Sequence, residues 1–183
     1  MDESNLFKRL KKATPGFDWT RHEDKLTSGI PDASYGAEGV GGWVELKTYD
    51  AWPRNASQPL KFTDLKPTQV NWAIRRGRKQ RRVWFLVAIG DECWLLIRWK
   101  YARQLGKLTQ RELLLAADAH GTFPIPKGIS RVFTQPETKE YDDQASNGGS
   151  ENDPHQRSSR AGLAGQTPVR RVPRNLSRLR AGT

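Results

Sequence analysis

The feature that most constrains this chain is its longest apolar run, Val83-Trp84-Phe85-Leu86-Val87-Ala88-Ile89. Seven residues are far too few to cross a bilayer. Gly90-Asp91-Glu92 separates the run from a second apolar stretch, Cys93 to Trp99, and the two read as a buried β-hairpin. A buried hairpin needs other elements to cover it, and the flanking sequence offers several. Residues 3–13 predict a short amphipathic helix with Leu6, Phe7 and Leu10 on one stripe, ended by Pro15-Gly16. Phe17 to His22 alternates like a strand, and a polar loop, Lys25 to Gly29, follows. Ile30 to Tyr35 and Gly42 to Thr48 predict two strands joined through Gly36, Gly39, Gly41 and Gly42. Tyr49 to Asp64 has no period and is a long loop, a length more often functional than connective. Pro67 opens a helix to Arg76, with Gly77 at its end. Thr109-Gln110-Arg111-Glu112 is a capping box for a helix through Leu113, Leu114 and Ala117, closed by Gly121. There is no internal repeat. The order α-β-β-β-α-β-β-α predicts an α/β fold, a mixed sheet flanked by helices.

Composition bounds the rest. The 183 residues hold 31 lysines and arginines against 20 acids, a formal charge of +11 with pI near 10.1. That balance points to a polyanionic partner, most simply nucleic acid. One cysteine, Cys93, excludes a disulfide framework and a cysteine-rich zinc site. His22, His120 and His155 are scattered without zinc spacing. The N-terminal residues carry no signal-peptide pattern and no segment reads as a membrane span, so a soluble, cytoplasmic protein is expected. Hydrophobic residues make up only 36%, which places part of the chain outside the core. From Pro136 onward there is no tryptophan or phenylalanine, and a domain at 1–135 followed by a disordered basic tail at 136–183 is expected. Acids fill residues 137–153 of that tail. Arg157, Arg160, Arg170, Arg171, Arg174, Arg178 and Arg180 follow, as a solvated segment or as an arm for phosphates. Without the tail, 23 basic and 14 acidic residues remain, so the domain is basic by itself.

The chemistry concentrates in Gly29-Ile30-Pro31-Asp32, then twelve residues, then Glu45-Leu46-Lys47. Glu45 and Lys47, two apart on a strand, leave the same face as Trp43, while Val44, Leu46 and Thr48 take the other. An acid and a lysine on a strand this apolar are costly unless they pair or bind something. Asp32 reaches the same point if its strand pairs with theirs. Two carboxylates and a lysine converging there suit a hard divalent cation. The plainer alternative is an exposed cross-strand salt bridge, with Pro-Asp starting a turn.

Pro31-Asp32 followed by Glu45-Leu46-Lys47 resembles the motif of the PD-(D/E)XK nuclease superfamily. The chain is similar, over about residues 1–100, to Holliday-junction-resolvase-like and VRR-type nucleases, including small phage-encoded members. Three further features carry the likeness: an upstream helix bearing Glu3, Gly29-Ile30 before Pro31-Asp32, and a helix with Gln69-Val70-Asn71-Trp72 ahead of the basic turn Arg75 to Arg78. The resemblance implies a restriction-endonuclease-like sheet and a metal-dependent DNA endonuclease, structure-selective, leaving a 5′-phosphate and a 3′-hydroxyl. It implies Mg²⁺, with Mn²⁺ as a substitute, held by Asp32 and Glu45 with the Leu46 carbonyl as an extra ligand. Lys47 would position the attacking water and offset transition-state charge, and Gln69 would point toward both. For the auxiliary acid, Glu23 in Arg21-His22-Glu23 is favoured, with Glu3 as second choice. The chain departs from the pattern at Lys66, where relatives often place serine or threonine before the helix-opening proline. The expected partner is DNA, branched or duplex, with a homodimer implied because a junction offers two symmetric cuts. RNA remains open. Trp52, in the long loop with Arg54 and Lys61, is a candidate for stacking on an unpaired base, whereas Trp72, Trp84 and Trp94 read as core. A non-catalytic basic nucleic-acid-binding protein accounts for the charge equally well. It leaves the inward acids unexplained.

Overall fold

The computed structural model describes residues 1–22 and 29–135; Glu23 and the arginine-rich segment lie outside them. The elements in chain order are α1 (Glu3–Ala13), β1 (Asp18–Arg21), β2 (Ala33–Ala37), β3 (Val40–Tyr49), α2 (Pro67–Gln80), β4 (Val83–Ile89), β5 (Cys93–Arg98), a 3₁₀ turn (Trp99–Tyr101), α3 (Gln110–Ala116), β6 (Ala117–Thr122) and α4 (Ile129–Thr134). The six strands form one sheet in sequence order. β3 and β4 run parallel, joined by the α2 crossover, and every other neighbouring pair is antiparallel. The fold is α/β with a mixed sheet, as the element order predicts. Among the described residues, no helix is long and apolar enough to cross a membrane.

The all-apolar β4 is explained by its place in the middle of the sheet, covered on both faces. Trp84, Leu86 and Ala88 enter a core with Leu6 and Leu10 of α1, Val44 and Leu46 of β3, and Ile129 and Phe133. Val83, Phe85, Val87 and Ile89 enter a second core with Leu60, Phe62, Ala73 of α2, Ile97 of β5 and Leu113 of α3. Trp43 and Tyr49 of β3 pack against this second core. The predicted division of β3 into two faces therefore holds.

Four sequence expectations are corrected. α2 does not stop at Gly77 but runs to Gln80, and Arg81 makes the left-handed turn at φ 62°. Gly77 serves packing instead, because a Cβ there would lie 2.2 Å from the Trp99 indole. Likewise, α3 ends at Ala116 and the following residues form β6. Ala-Asp-Ala-His-Gly-Thr has little intrinsic strand preference, and pairing with β5 supplies what the sequence lacks. The last helix, α4, is absent from the predicted order; its Ile129 and Phe133 close the first core. β2 also begins at Ala33 rather than Ile30, which places Asp32 just ahead of the strand.

Tyr35 ties β2 to this first core, where its hydroxyl donates to the Phe133 carbonyl (3.1 Å) and accepts from Trp84 Nε1 (3.3 Å). Burial pushes its phenol up to about 12, partly offset by the Trp84 hydrogen bond and by Arg82 and Arg98. A raised acid stabilises the fold fully below its unfolded pKa near 10, and the contribution disappears as pH rises through 12. Stability should therefore fall by roughly 2–3 kcal/mol between pH 10 and 12 from this group. Chemical denaturation across that window should show a visibly shallower fall for Tyr35→Phe than for the wild type.

Candidate active site

β3 outruns β2. Their ladder runs from Ala37↔Val40 to Ala33↔Val44, so beyond Val44 no β2 residue pairs with that edge of β3. The Leu46 N–H on this edge donates instead to Asp32 Oδ2 at 2.7 Å. Asp32 thus extends the ladder with its side chain, and the pairing required for it to reach Glu45 and Lys47 is present. Two contacts hold its loop in place. The Asp32 carbonyl accepts from His22 N (2.8 Å), and Gly29, at φ +97°, lies so close to the first turn of α2 that a Cβ would sit 2.8 Å from the Thr68 carbonyl oxygen. No other residue type fits there without moving α2 or the loop.

On the α2 side of β3, Glu45 and Lys47 are 2% and 4% exposed. Lys47 Nζ lies 2.9 Å from Glu45 Oε1, 3.3 Å from Glu3 Oε1 and 3.5 Å from Asp64 Oδ2. The bland alternative of an exposed salt bridge is therefore excluded by burial. Gln69 also reaches Glu45, donating from Nε2 to Oε1, while its Oε1 accepts from the Lys66 backbone N–H at 2.8 Å. One side chain thereby caps α2 and anchors Glu45. The lysine at the cap position supplies no acceptor of its own, and Gln69 substitutes for it.

Glu3 occupies the first turn of α1, whose N-terminus Asp2 caps by accepting from Asn5 N (2.7 Å). The stripe of Leu6, Phe7 and Leu10 buries one side of α1 and turns Glu3 toward Lys47. Asp64 is a site residue that the sequence did not suggest. It closes the long loop, and Tyr49 donates to its Oδ1 at 2.6 Å. Tyr49 lies two residues past Lys47 on the same face, and that period was the only available signal. Among the tryptophans, Trp84 and Trp94 are buried as predicted, but Trp72 is half-buried at the rim of the second core, as Trp52 is.

Four carboxylates, Glu3, Asp32, Glu45 and Asp64, thus surround a single ammonium. Burial, then the Asp32 charge, push the Glu45 carboxyl up to about 7, against the pull of Lys47. Burial also raises Glu3. For Lys47, burial favours the neutral amine, but Glu45, Glu3 and Asp32 outweigh it and hold its pKa above the ordinary value. The amine is charged and the acids are under-compensated. Glu45 Oε2 is buried with no hydrogen-bond partner. Asp32 Oδ1 accepts no hydrogen bond among the described residues. Among the described residues no three carboxylate, histidine or cysteine side chains already form a metal cage. The donors gathered here are carboxylate oxygens with spare charge, and that chemistry fits a hard divalent cation.

Similarity to known proteins adds little. No protein-family model matches the chain, and no curated protein does. Among solved structures, it is similar to Archaeoglobus fulgidus Hjc, a Holliday junction resolvase from an archaeal hyperthermophile. That likeness has a TM-score of 0.45 and 17% identity, covering 71% of this chain and 95% of that one. What the chain does is therefore to be inferred from its side chains.

The excess negative charge has a measurable consequence. Because Glu45 is raised in the folded state, its protonated form favours folding below the unfolded value near 4.5. That contribution disappears as pH rises through 7. In EDTA the protein should lose on the order of 3 kcal/mol between pH 5 and pH 8 from this source. In Glu45→Gln, denaturant titrations over the same range should show less than half that loss.

Proposed function

We propose that the protein is a metal-dependent endonuclease that hydrolyses phosphodiester bonds in DNA, a PD-(D/E)XK enzyme with Pro31-Asp32 and Glu45-Leu46-Lys47 as its motif. The observation that carries this proposal is the convergence of Asp32, Glu45 and a charged Lys47 at the open edge of β3, with carboxylate charge left over. A basic module that only binds nucleic acid has no use for buried acids, which repel phosphate unless a cation lies between them.

The residues divide the chemistry among them. Asp32 and Glu45, with the Leu46 carbonyl, would hold Mg²⁺, or Mn²⁺ in its place. Bound there, the cation supplies Lewis acidity and lowers the pKa of water to give a nucleophile near neutral pH. Gln69 keeps Glu45 from rotating out of place. Lys47 is held charged beside Glu45 (2.9 Å) and opposes the negative charge that grows on the phosphoryl oxygens in the transition state. Glu3 and Asp64 orient Lys47 from its other sides, and Glu23 remains a candidate auxiliary acid. The chemistry belongs to residues 1–135; the basic segment 136–183 supplies phosphate contacts. The substrate we favour is branched DNA of the Holliday-junction kind, cut by a twofold dimer in the cytoplasm.

Plasmid and branched DNA incubated with Mg²⁺, Mn²⁺ or EDTA provide the test. Cutting should require metal, and Asp32→Ala should abolish it. In Lys47→Ala, kcat and kcat/KM should fall together by about a hundredfold or more, with little loss of DNA affinity. Truncation after Gln135 should weaken binding and flatten its salt dependence while saturated turnover persists. Cutting by Asp32→Ala at the wild-type rate, or a Lys47→Ala enzyme that loses affinity but keeps its turnover, would sink the assignment. Sedimentation showing only monomer with and without DNA would remove the dimer.

A further inference from the structure

The two elements that hold the carboxylates carry a second group of side chains. Trp43 precedes Glu45 by two residues on β3 and shares its face. Trp72 and Arg76 follow Gln69 by three and seven residues on α2, the spacing that keeps them on one side of a helix. The Trp43 and Trp72 rings meet edge to face with centroids 5.0 Å apart. The Arg76 guanidinium lies 5.6 Å and 5.9 Å from the same two rings. Both tryptophans are half-buried and sit at the rim of the second core, not within it.

Arg76 is half-buried where Arg75 and Arg78 are exposed. Among the described residues it pairs with no carboxylate, and its Nε is shielded from solvent without an acceptor. A buried donor left unmade is costly, and a guanidinium normally finds a carboxylate or phosphate to fork onto. His22 already stacks on the Trp43 ring, with centroids 5.2 Å apart, so it is Trp72, beside a guanidinium with no acid partner among the described residues, that matches the two halves of a nucleotide. A base stacks on aromatic rings whatever its sequence, and a phosphate takes the cation.

We propose that Trp72 and Arg76, with Trp43 backing them, form a subsite for one unpaired nucleotide next to the phosphodiester that is cut, its base against Trp72 and its phosphate at Arg76. This proposal rests on the nuclease assignment above and narrows its substrate. In intact duplex, and in a fully paired four-way junction, every base is already paired and stacked, so the subsite favours a fork, a flap or a junction whose branch-point pairs have opened beside the cut.

Binding in EDTA, where no cutting occurs, reads the subsite apart from catalysis. Fluorescence anisotropy would compare an oligothymidylate with an abasic strand of the same length, which keeps the charge and lacks the bases. Wild-type protein should prefer the thymidylate by about tenfold or more, the scale of one stacked base. Trp72→Leu, which keeps apolar bulk against the core, should bring the ratio down toward unity. Arg76→Gln should weaken binding to both strands. A wild-type ratio within twofold overturns the proposal without any variant, and so does a ratio that Trp72→Leu leaves unchanged. Base-dependent binding lost in Trp72→Leu, combined with no metal-dependent cutting by the wild type, would keep the subsite and remove the nuclease. Metal-dependent cutting without base-dependent binding would do the opposite.

Discussion

Everything in this molecule is arranged around a buried charge pair on the central part of its sheet. Taking Glu45 and Lys47 out of water is expensive, and their mutual attraction rarely repays the desolvation. The surroundings lessen that cost only in part. Lys47 has three carboxylates within 3.5 Å, so its charge is well served. Glu45 has one oxygen bonded to Lys47 and Gln69 and the other bonded to nothing. A core built for stability alone would place an apolar residue here, as β4 does opposite at Phe85. The pair is better understood as a tolerated instability than as a staple.

Several otherwise unrelated features become necessary once that pair is in place. β2 must begin no earlier than Ala33 so that the preceding residue, Asp32, can turn its carboxylate onto the Leu46 N–H. The preceding loop must approach the α2 N-terminus closely enough to require glycine at position 29. α2 must then lie along β3 with Gln69 over Glu45, and the close contact of Gly77 with Trp99 holds the far end of that helix against the 3₁₀ turn. The parallel β3-α2-β4 crossover is what brings helix and strand into register.

How much of this was legible in the sequence depends on whether the signal was local. The hairpin Val83–Arg98 follows from two apolar runs about a turn, the stripe of α1 and the face division of β3 from period, and all are present. β6 is hard to see because its inward residues are only alanine and glycine and its stability comes from β5, a partner the local pattern cannot show. Gly77 was misassigned for a similar reason: a glycine that ends a helix and one that admits a neighbouring indole look identical in sequence. At the site, spacing points to Asp32, Glu45 and Lys47, the resemblance adds Gln69, and the four converge. Asp64 escapes both, because the loop that delivers it has no period and only its contacts with Tyr49 and Lys47 reveal its purpose.

The polar atoms that burial leaves unsatisfied are informative as a set. Native structures leave few such atoms, and each calls for a cause. Among the described residues there are four: Glu45 Oε2, Arg76 Nε, Arg82 Nε and Trp99 Nε1. Trp99 is accounted for by the helix packed against its ring at Gly77, and Arg82 still donates from its NH2 group to the Thr134 carbonyl at 3.4 Å. The other two lie on elements that face each other, β3 and α2, with Trp43 and Trp72 in contact beside Arg76. One is an acceptor with surplus negative charge and the other is a donor with positive charge. A contact between Glu45 Oε2 and Arg76 Nε would have satisfied both, and the fold does not make one. On the proposed function, a phosphodiester strand with a cation at one end of its path and a phosphate at the other would supply the two missing partners together. The domain's net positive charge would draw such a strand in.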